Sequence, residues 1–462
     1  MSRIVFIHLG TSAVPEGPEY QELKNQQYDL LCLEPGVAWV AQALSDRAET
    51  VVLNADLMSD QKLVSAAVGF SPTCVGFSSF SAGWPRTERI ANCIRESLPN
   101  IPYIFGGWHV TMCGQASRLS ILARYPRSTI VVGRGEGVSD ILLDPERYTS
   151  TVVDGDNGVN VPHRYPFDVL VEPAGKPRLS YFGIPVNQRT ASMVIRGGCT
   201  FGCPYCPSGQ GLAPERSVDE IMDEIRRLII EREANVIFFR DENLLLYPRT
   251  IEGLCRALIR EGLNERVCFY SLGDVRLIDE ALLRLMAHAG WTGLSVGVER
   301  PNDQSMRALG RVQHLDTTRR SFEIMRSVGI FTVASIMLWC PGDTMETFDL
   351  FQDLLQTLCP DQIIATFFTP FPGFSNEDPG IGLRTHDLSQ YHYLCPILVN
   401  DPSVTDVALH KAKQKLLDDY YGSTAFARLM RSRRQQLGPD RFRLLTEIRH
   451  QRLLSYGVDI MH

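Results

Sequence analysis

Short apolar runs return along this chain at the intervals a parallel sheet imposes. In the first third they are Ile4–Leu9, Val51–Asn54, Cys74–Ser79, Tyr103–Phe105 and Thr129–Val132. Runs this short and this apolar suit strands buried on both faces. Segments with helical spacing stand between them, Val37–Leu44 and Arg86–Leu98 among them. Strand and helix in alternation predict a doubly wound, Rossmann-like sheet, whose ligands gather at the carboxyl ends of the strands. Those ends carry Gly10-Thr11-Ser12, Ser78-Ser79, Gly106-Gly107-Trp108-His109 and Gly133-Arg134-Gly135-Glu136-Gly137. Glycine there admits a ligand to the backbone, although it serves ordinary turns equally well.

A second series of strand-like runs begins later: Ser192–Ile195, Val236–Phe239, Val267–Leu272, Leu294–Val298, Phe331–Leu338 and Gln362–Phe368. A helical pattern follows each of the first five. Ser217-Val-Asp-Glu220 reads as a capping box ahead of the apolar stripe Val218, Ile221, Met222, Ile225, Leu228 and Ile229. Asp343-Thr-Met-Glu346 reads as the start of another helix. These runs continue the strand–helix alternation of a parallel α/β fold, in which function gathers on the loops at the strand carboxyl ends. Turn formers at 154–162 and 172–177 mark a linker between the two series. Past residue 374 the strand signals stop, and 409–437 and 441–454 read as helices. Arg431, Arg433, Arg434, Arg441, Arg443, Arg449 and Arg452 form a basic run there, which reads as a solvated face, a lid over the preceding strand ends or a dock for an acidic protein.

The chemistry concentrates just after the first strand of the second series, in Arg196-Gly-Gly-Cys199-Thr-Phe-Gly-Cys203-Pro-Tyr-Cys206-Pro. Thiolates are the soft ligands of iron–sulfur clusters, and a [4Fe–4S] cube ordinarily takes four. Three on one Gly/Pro-rich loop cap three irons and leave the fourth open. A structural zinc site is the competing reading, but zinc wants four protein ligands. No cysteine lies between Cys206 and Cys255, and the first histidine after the motif is His288.

Composition narrows the class. The 462 residues carry a net charge of −7, which speaks against a nucleic-acid partner. No apolar run is long enough to span a bilayer, and no signal peptide precedes the first strand. Twelve cysteines in a chain without a signal read as reduced thiols, hence a cytoplasmic location.

The C-x3-C-x2-C loop, with Tyr205 before the third cysteine, resembles the signature of the radical S-adenosylmethionine (SAM) superfamily. Asp241-Glu242-Asn243 resembles the family's segment near the SAM methionine group. Gly297-Val-Glu299-Arg300 resembles its G-x-E-S segment, and Trp339-Cys-Pro341-Gly342-Asp343-Thr its G-x-P-G-E-T segment beside the adenine. Pro35–Leu44, Val75–Ser78, Gly106–His109 and Gly133–Glu136 resemble the cobalamin-binding domain of one large subgroup. Two positions depart from the family, Trp339 for glycine and Arg300 for a small residue; Arg300 is free to pair with Glu299 or to reach an acidic substrate group. The D-x-H-x-x-G cobalt-ligand motif is absent, and His109 reads as a structural histidine.

The resemblance implies an α/β fold in four parts: a Rossmann-like cobalamin-binding-type domain (1–145), a linker (146–188), a partial (β/α)6 barrel (189–373) and a mainly helical end (374–462). It implies Cys199, Cys203 and Cys206 as cluster ligands and Asp241, Glu242 and Glu299 as catalytic candidates. Around SAM it implies Tyr205, Asp241, Asn243, Glu299, Arg300, Trp339, Pro341 and Gly342. Around cobalamin it implies Ser78, Gly106, Gly107, Gly135 and Glu136. The implied activity is reductive cleavage of SAM to a 5′-deoxyadenosyl radical that takes hydrogen from a small molecule, for cobalamin-dependent methylation of an unactivated carbon. Its alternative is cobalamin-free dehydration or rearrangement of a hydroxylated substrate such as an aminosugar. The implied partner is an electron donor such as flavodoxin, ferredoxin or a reductase.

Overall fold

Strand β1 (Ser2–Leu9) shows how the first sheet comes to be buried on both sides. Val5, Ile7 and Leu9 join one apolar cluster, while Ile4 and Phe6 join another on the opposite face. The computed structural model describes residues 2–9, 35–155, 190–373 and 382–436, less positions 45, 56–57, 207, 209–210, 213–214 and 232, together with 438 and 442. Two units divide the chain, one of 1–179 with 369–397 and one of 180–368 with 398–462.

In the first unit β1 is followed by β2 (Ala48–Asn54), β3 (Cys74–Ser79), β4 (Tyr103–Gly106), β5 (Ser128–Val132) and β6 (Thr151–Asp154). All pair in parallel in the order β2-β1-β3-β4-β5-β6. The winding reverses between β1 and β3, which opens a crevice at their carboxyl ends. His8, Ser78 and Gly106 lie in one register row there. Strand β6 falls where the sequence reads as linker; Val152 is half exposed at the sheet edge, so its short run lacked the apolar signature of the other strands.

Residues 369–397 also belong to this unit, rather than being split between the barrel and a helical end. Phe371, Leu388, Tyr391, Cys395 and Ile397 form a cluster of their own, and Leu388 packs on the larger core. At Gly373, in the left-handed region (φ 86°), an added Cβ would overlap the Met112 carbonyl oxygen, so only glycine allows this approach.

His109 is structural here, as its sequence setting predicts. It is buried, stacks on Trp84 at 4.5 Å between ring centroids, and bonds Ser81 Oγ through Nδ1 at 3.2 Å. Burial pushes its imidazole from 6.5 down to about 4. The native state thus resists a proton that the unfolded chain accepts, so stability is complete above pH 6.5 and falls as pH drops through about 4. A shift of this size corresponds to about 3 kcal/mol. Melting temperatures across that pH range should fall steeply, and His109→Phe should flatten the slope.

The second unit carries β7 (Thr190–Met193), a two-stranded ribbon of β8 (Gly198–Cys199) and β9 (Gly211–Leu212), then β10 (Val236–Phe239), β11 (Cys268–Gly273), β12 (Trp291–Glu299), β13 (Phe331–Leu338) and β14 (Gln362–Phe367). The parallel sheet runs β7-β10-β11-β12-β13-β14, each strand beside its predecessor. Stacked Phe239, Trp291 and Phe269 fill one face, and Tyr270, Phe331 and Val333 the other. The Ser217–Glu220 capping box forms: Ser217 N–H donates to Glu220 Oε2 at 2.8 Å, and Glu220 N–H to Ser217 Oγ at 3.3 Å.

Three expectations change in this unit. The helix Glu346–Leu358 starts without a side-chain cap, because Asp343 is engaged elsewhere. The segment 409–437 is two helices, Asp406–Tyr421 and 424–436, parted at Gly422-Ser423, where Ser423 Oγ accepts from Phe426 N–H at 3.1 Å. Arg433 leaves the basic run altogether: it is buried and pairs with Asp361 at 2.7 Å. The stretch 443–454, the turn-rich 156–177 and Gly10-Thr11-Ser12 lie outside the described residues.

Candidate active site

The cysteine loop springs from the end of β7, and its base is fixed by one carboxylate. Asp241, just past β10, is fully buried and accepts from three successive backbone N–H groups: Ile195 at 2.9 Å, Arg196 at 2.9 Å and Gly197 at 3.1 Å. Burial pushes its carboxyl above the usual range, against the downward pull of these donors. Glu242 Oε2 takes the next donor, Gly198 N–H. Asp241 and Glu242, two of the three predicted catalytic carboxylates, therefore hold the loop. Gly197 (φ 72°) and Gly198 (φ 86°) supply the left-handed turn that presents these N–H groups. Ribbon β8–β9 then brackets the thiols, pairing Cys199 with Gly211.

The three thiols stand close enough to act on one another's charge. Burial pushes the Cys206 thiol up, and the Cys203 and Cys199 side chains add to that push. Three soft thiolates on one loop suit three corners of a cube, whereas a structural zinc takes four protein ligands.

Arg311 faces this loop, a residue no local pattern singled out. Its Nη1 donates to the Tyr205 hydroxyl at 3.0 Å and to Cys203 Sγ at 3.6 Å. Its Nη2 donates to Asp274 at 2.7 Å and its Nε to Gln313 at 2.6 Å. Burial opposes the guanidinium's charge, but Glu299, Tyr205 and Asp274 hold it firmly protonated. Asp274, Arg276 and Gln313 were equally silent in the sequence. They lie on loops, where no periodicity reports a contact; the one hint is Gly310, whose added Cβ would meet Pro204 at 2.7 Å.

Glu299 ends β12 through a break in register, Gly297 pairing Ser335 and Glu299 pairing Ile336. Its backbone is left-handed (φ 62°), as is that of Trp339 (φ 56°) after the adjacent β13. Strained non-glycine residues at neighbouring strand ends mark a functional site. The turn brings Glu299 Oε1 to 2.3 Å from where a Cβ on Gly297 would sit, so Gly297 is what lets this carboxylate fold back. Burial pushes Glu299's carboxyl up, with Arg311 pulling it down.

Arg300 pairs with Asp343, not Glu299. It is buried, donates to the Met337 carbonyl at 2.5 Å, and meets Asp343, which also accepts from Cys340 N–H at 2.8 Å. Trp339 is buried too, its indole N–H bonded to the Leu398 carbonyl at 3.0 Å. Asn400 donates to the Cys340 and Asp343 carbonyls at 2.7 and 3.1 Å. Arg300 and Asp343 thus brace the loop from Trp339 to Thr344, leaving Pro341 and Gly342 exposed at its tip.

In the first unit, Gly107 (φ 87°) lies so close to β3 that an added Cβ would stand 2.6 Å from Ser79 N and 2.9 Å from Ser78 Oγ. Gly135 meets Val40 in the same way, at 2.9 Å, and Gly106 completes the row. Glu136 is placed, but its side chain lies outside the described residues.

Residues 193–355 match the Radical SAM superfamily, and residues 28–142 match the B12 binding domain. The chain belongs to the radical SAM superfamily. A B12-binding domain ahead of the radical SAM domain places it in the cobalamin-dependent subgroup. Among its relatives is an anaerobic magnesium-protoporphyrin IX monomethyl ester cyclase of Rubrivivax gelatinosus, 24% identical over 79% of this chain and 69% of that one. A hopanoid C-3 methylase of Methylococcus capsulatus is 24% identical over 43% of this chain and 38% of its own. The fold is shared with the cobalamin-dependent SAM radical enzyme OxsB, at a TM-score of 0.65, 14% identity and coverage of 99% of this chain and 72% of that one. It is shared also with the radical SAM methyltransferase TsrM of Kitasatospora setae, at 0.60, 17%, 90% and 89%.

The cofactors of this radical SAM subgroup are a [4Fe–4S] cluster, SAM and cobalamin, and the residues present fit them. Cys199, Cys203 and Cys206 fit the cluster. Asn243, beside the loop, has both amide atoms buried without a partner, as a site for a polar ligand would leave it. At the crevice of the first sheet His8 Nδ1 is likewise buried without a partner, next to the Gly107 approach that any side chain would fill. Among the described residues no helix is long and apolar enough to cross a membrane.

Proposed function

We propose that this protein is a cobalamin-dependent radical SAM methylase that acts on an unactivated carbon of a small metabolite. The observation that carries this reading is the cysteine loop seated by Asp241 and Glu242 across from Glu299 and Arg311, in a chain that also bears a B12-binding domain. When bound, the cluster with SAM supplies a 5′-deoxyadenosyl radical, and cobalamin supplies a transferable methyl group.

The chain's own residues do the positioning. Asp241 and Glu242 fix the height of the thiols above the sheet. Glu299, with its carboxylate turned back over Gly297, offers an anion to an amino or ribosyl group of SAM. Asn243 offers a donor and an acceptor on one side, and the braced Trp339–Thr344 loop offers backbone groups on the other. Trp339 and Arg300 act here through shape and bracing rather than by direct contact with substrate. Ser78, Gly106, Gly107 and Gly135 line the first sheet's crevice for cobalamin, and Glu136 follows Gly135 in the chain as a further candidate. A low-potential donor such as flavodoxin or ferredoxin completes the set, and the expected compartment is the cytoplasm.

The Rubrivivax cyclase supports a second reading, hydrogen abstraction followed by bond rearrangement or dehydration with no methyl gained. One experiment separates them. The protein is purified anaerobically with cobalamin supplied, then incubated with reductant, SAM and candidate metabolites. A product heavier by one CH2 unit, from protein that carries corrinoid absorption bands, supports methylation. A product altered without that gain supports the second reading, and protein that never takes up corrinoid refutes the first.

A further inference from the structure

Two carboxylates stand within reach of the Arg311 guanidinium, and they are not equivalent. Asp274 Oδ2 accepts from Nη2 at 2.7 Å, whereas Glu299 Oε1 lies 3.9 Å from Nη1. Asp274 is itself locked in place, accepting from Arg276 N–H at 2.9 Å, Nε at 2.8 Å and Nη2 at 2.7 Å. Held in this way, Arg311 turns Nη1 to the cysteine loop, 3.0 Å from the Tyr205 hydroxyl and 3.6 Å from Cys203 Sγ. Arg276 closes the grip with its guanidinium 3.7 Å from the centroid of the Phe201 ring. One aspartate on the loop after β11 thus sets two arginines against three residues of the cysteine loop.

We propose that Asp274 is a positioning residue that keeps Arg311 on the Cys203 sulfur and off Glu299, and so raises the reduction potential of the cluster. The inference rests on the reading of Cys199, Cys203 and Cys206 as cluster ligands. A buried guanidinium cannot stay unpaired. With Asp274 gone, the remaining carboxylate beside Arg311 is Glu299, and swinging to it withdraws Nη1 from Cys203 and Tyr205. A hydrogen bond and a positive charge at a ligand sulfur favour the more negative, one-electron-reduced cluster. Their withdrawal makes reduction harder. It also ties Glu299 into an ion pair, which removes its anion from the ligand site.

The sign of the shift separates positioning from simple charge. Removing the negative charge of Asp274 would by itself make reduction easier. A fall in potential therefore reports that Arg311 has moved. The test uses full-length wild type, Asp274→Ala, Asp274→Asn and Arg311→Met, each reconstituted anaerobically with iron and sulfide and titrated with dithionite in the absence of SAM. The reduced cluster is followed by electron paramagnetic resonance, and folding by circular dichroism. The expected result is a midpoint more negative than wild type in all three variants, with the larger fall in Arg311→Met, because the Asp274 variants also lose a negative charge. Asp274→Asn, nearly isosteric, carries the same test if the alanine variant fails to fold. A midpoint unchanged or more positive in the Asp274 variants overturns the proposal. A wild type that takes up no cluster overturns instead the reading of the thiols on which it rests.

Discussion

Alanine in place of Cys199, Cys203 or Cys206, one at a time, is expected to abolish SAM cleavage and to strip iron from the purified protein. On the proposed reading each thiol would cap one corner of a cube, so losing one would leave two irons open instead of one. The loss cannot be made good locally. Cys255 is buried in the helix Pro248–Arg260, and burial there pushes its thiol up to about 12, which disfavours the thiolate that iron requires. Cys340 is buried likewise and hydrogen-bonds to the Met337 carbonyl at 3.7 Å. Cluster-dependent turnover should fall by more than about a thousandfold, since the cofactor carries the hard chemical step. Iron and sulfide analysis, the visible absorption of the cluster and 5′-deoxyadenosine release measure the effect. Asp241 and Glu242 remain in these variants to hold the loop, so circular dichroism should stay native. A single-cysteine variant that retains four irons per chain and cleaves SAM would show that the trio is not the ligand set.

How much of this was legible beforehand follows from which interactions are local. Both parallel sheets could be read, because a strand buried on two faces must be apolar almost throughout, as Val236–Phe239 is. The cysteine loop was legible because its ligands lie within one turn-rich segment. The Ser217–Glu220 capping box is local as well and formed as written. What failed was of another kind. Asp343 looked like a helix start because it precedes one, yet its partner is Arg300, 43 residues away. Arg433 looked solvated beside Arg431 and Arg434, yet Asp361 takes it into the core across 72 residues. Residues 369–397 gave no period, and their attachment to the first unit depends on a glycine at 373 meeting a carbonyl at 112. Arg311 and Asp274 were invisible for the same reason: a loop residue's partner is chosen by the fold, not by its neighbours in the chain.

Asp241 draws those two levels together, and Asp241→Asn is expected to cost the protein its cluster and much of the second unit's stability. The sequence placed this carboxylate at a strand end, where a proton acceptor would stand. In the structure both oxygens are committed: Oδ2 to Ile195 N–H at 2.9 Å, Oδ1 to Arg196 and Gly197 N–H at 2.9 and 3.1 Å. Asparagine has one oxygen where aspartate has two. Whichever way the amide is turned, its NH2 faces a backbone donor in a site closed to water. An unmet buried donor costs about 1–3 kcal/mol, and more where a charged acceptor has been lost. With one or two donors unmet and the charge gone, about 3–5 kcal/mol is expected. Asp241→Glu should do little better, because an extra methylene in a fully buried site costs about 1–3 kcal/mol in strain. Glu242 accepts from the Gly198 N–H and is partly exposed, so Glu242→Gln should be the milder change. Thermal melts and iron content of the anaerobically reconstituted variants give the ranking. If Asp241→Asn instead melts with the wild type and keeps its iron while 5′-deoxyadenosine release disappears, the carboxylate is a chemical participant, and the loop is held in place by the β8–β9 ribbon and the Arg311 network without it.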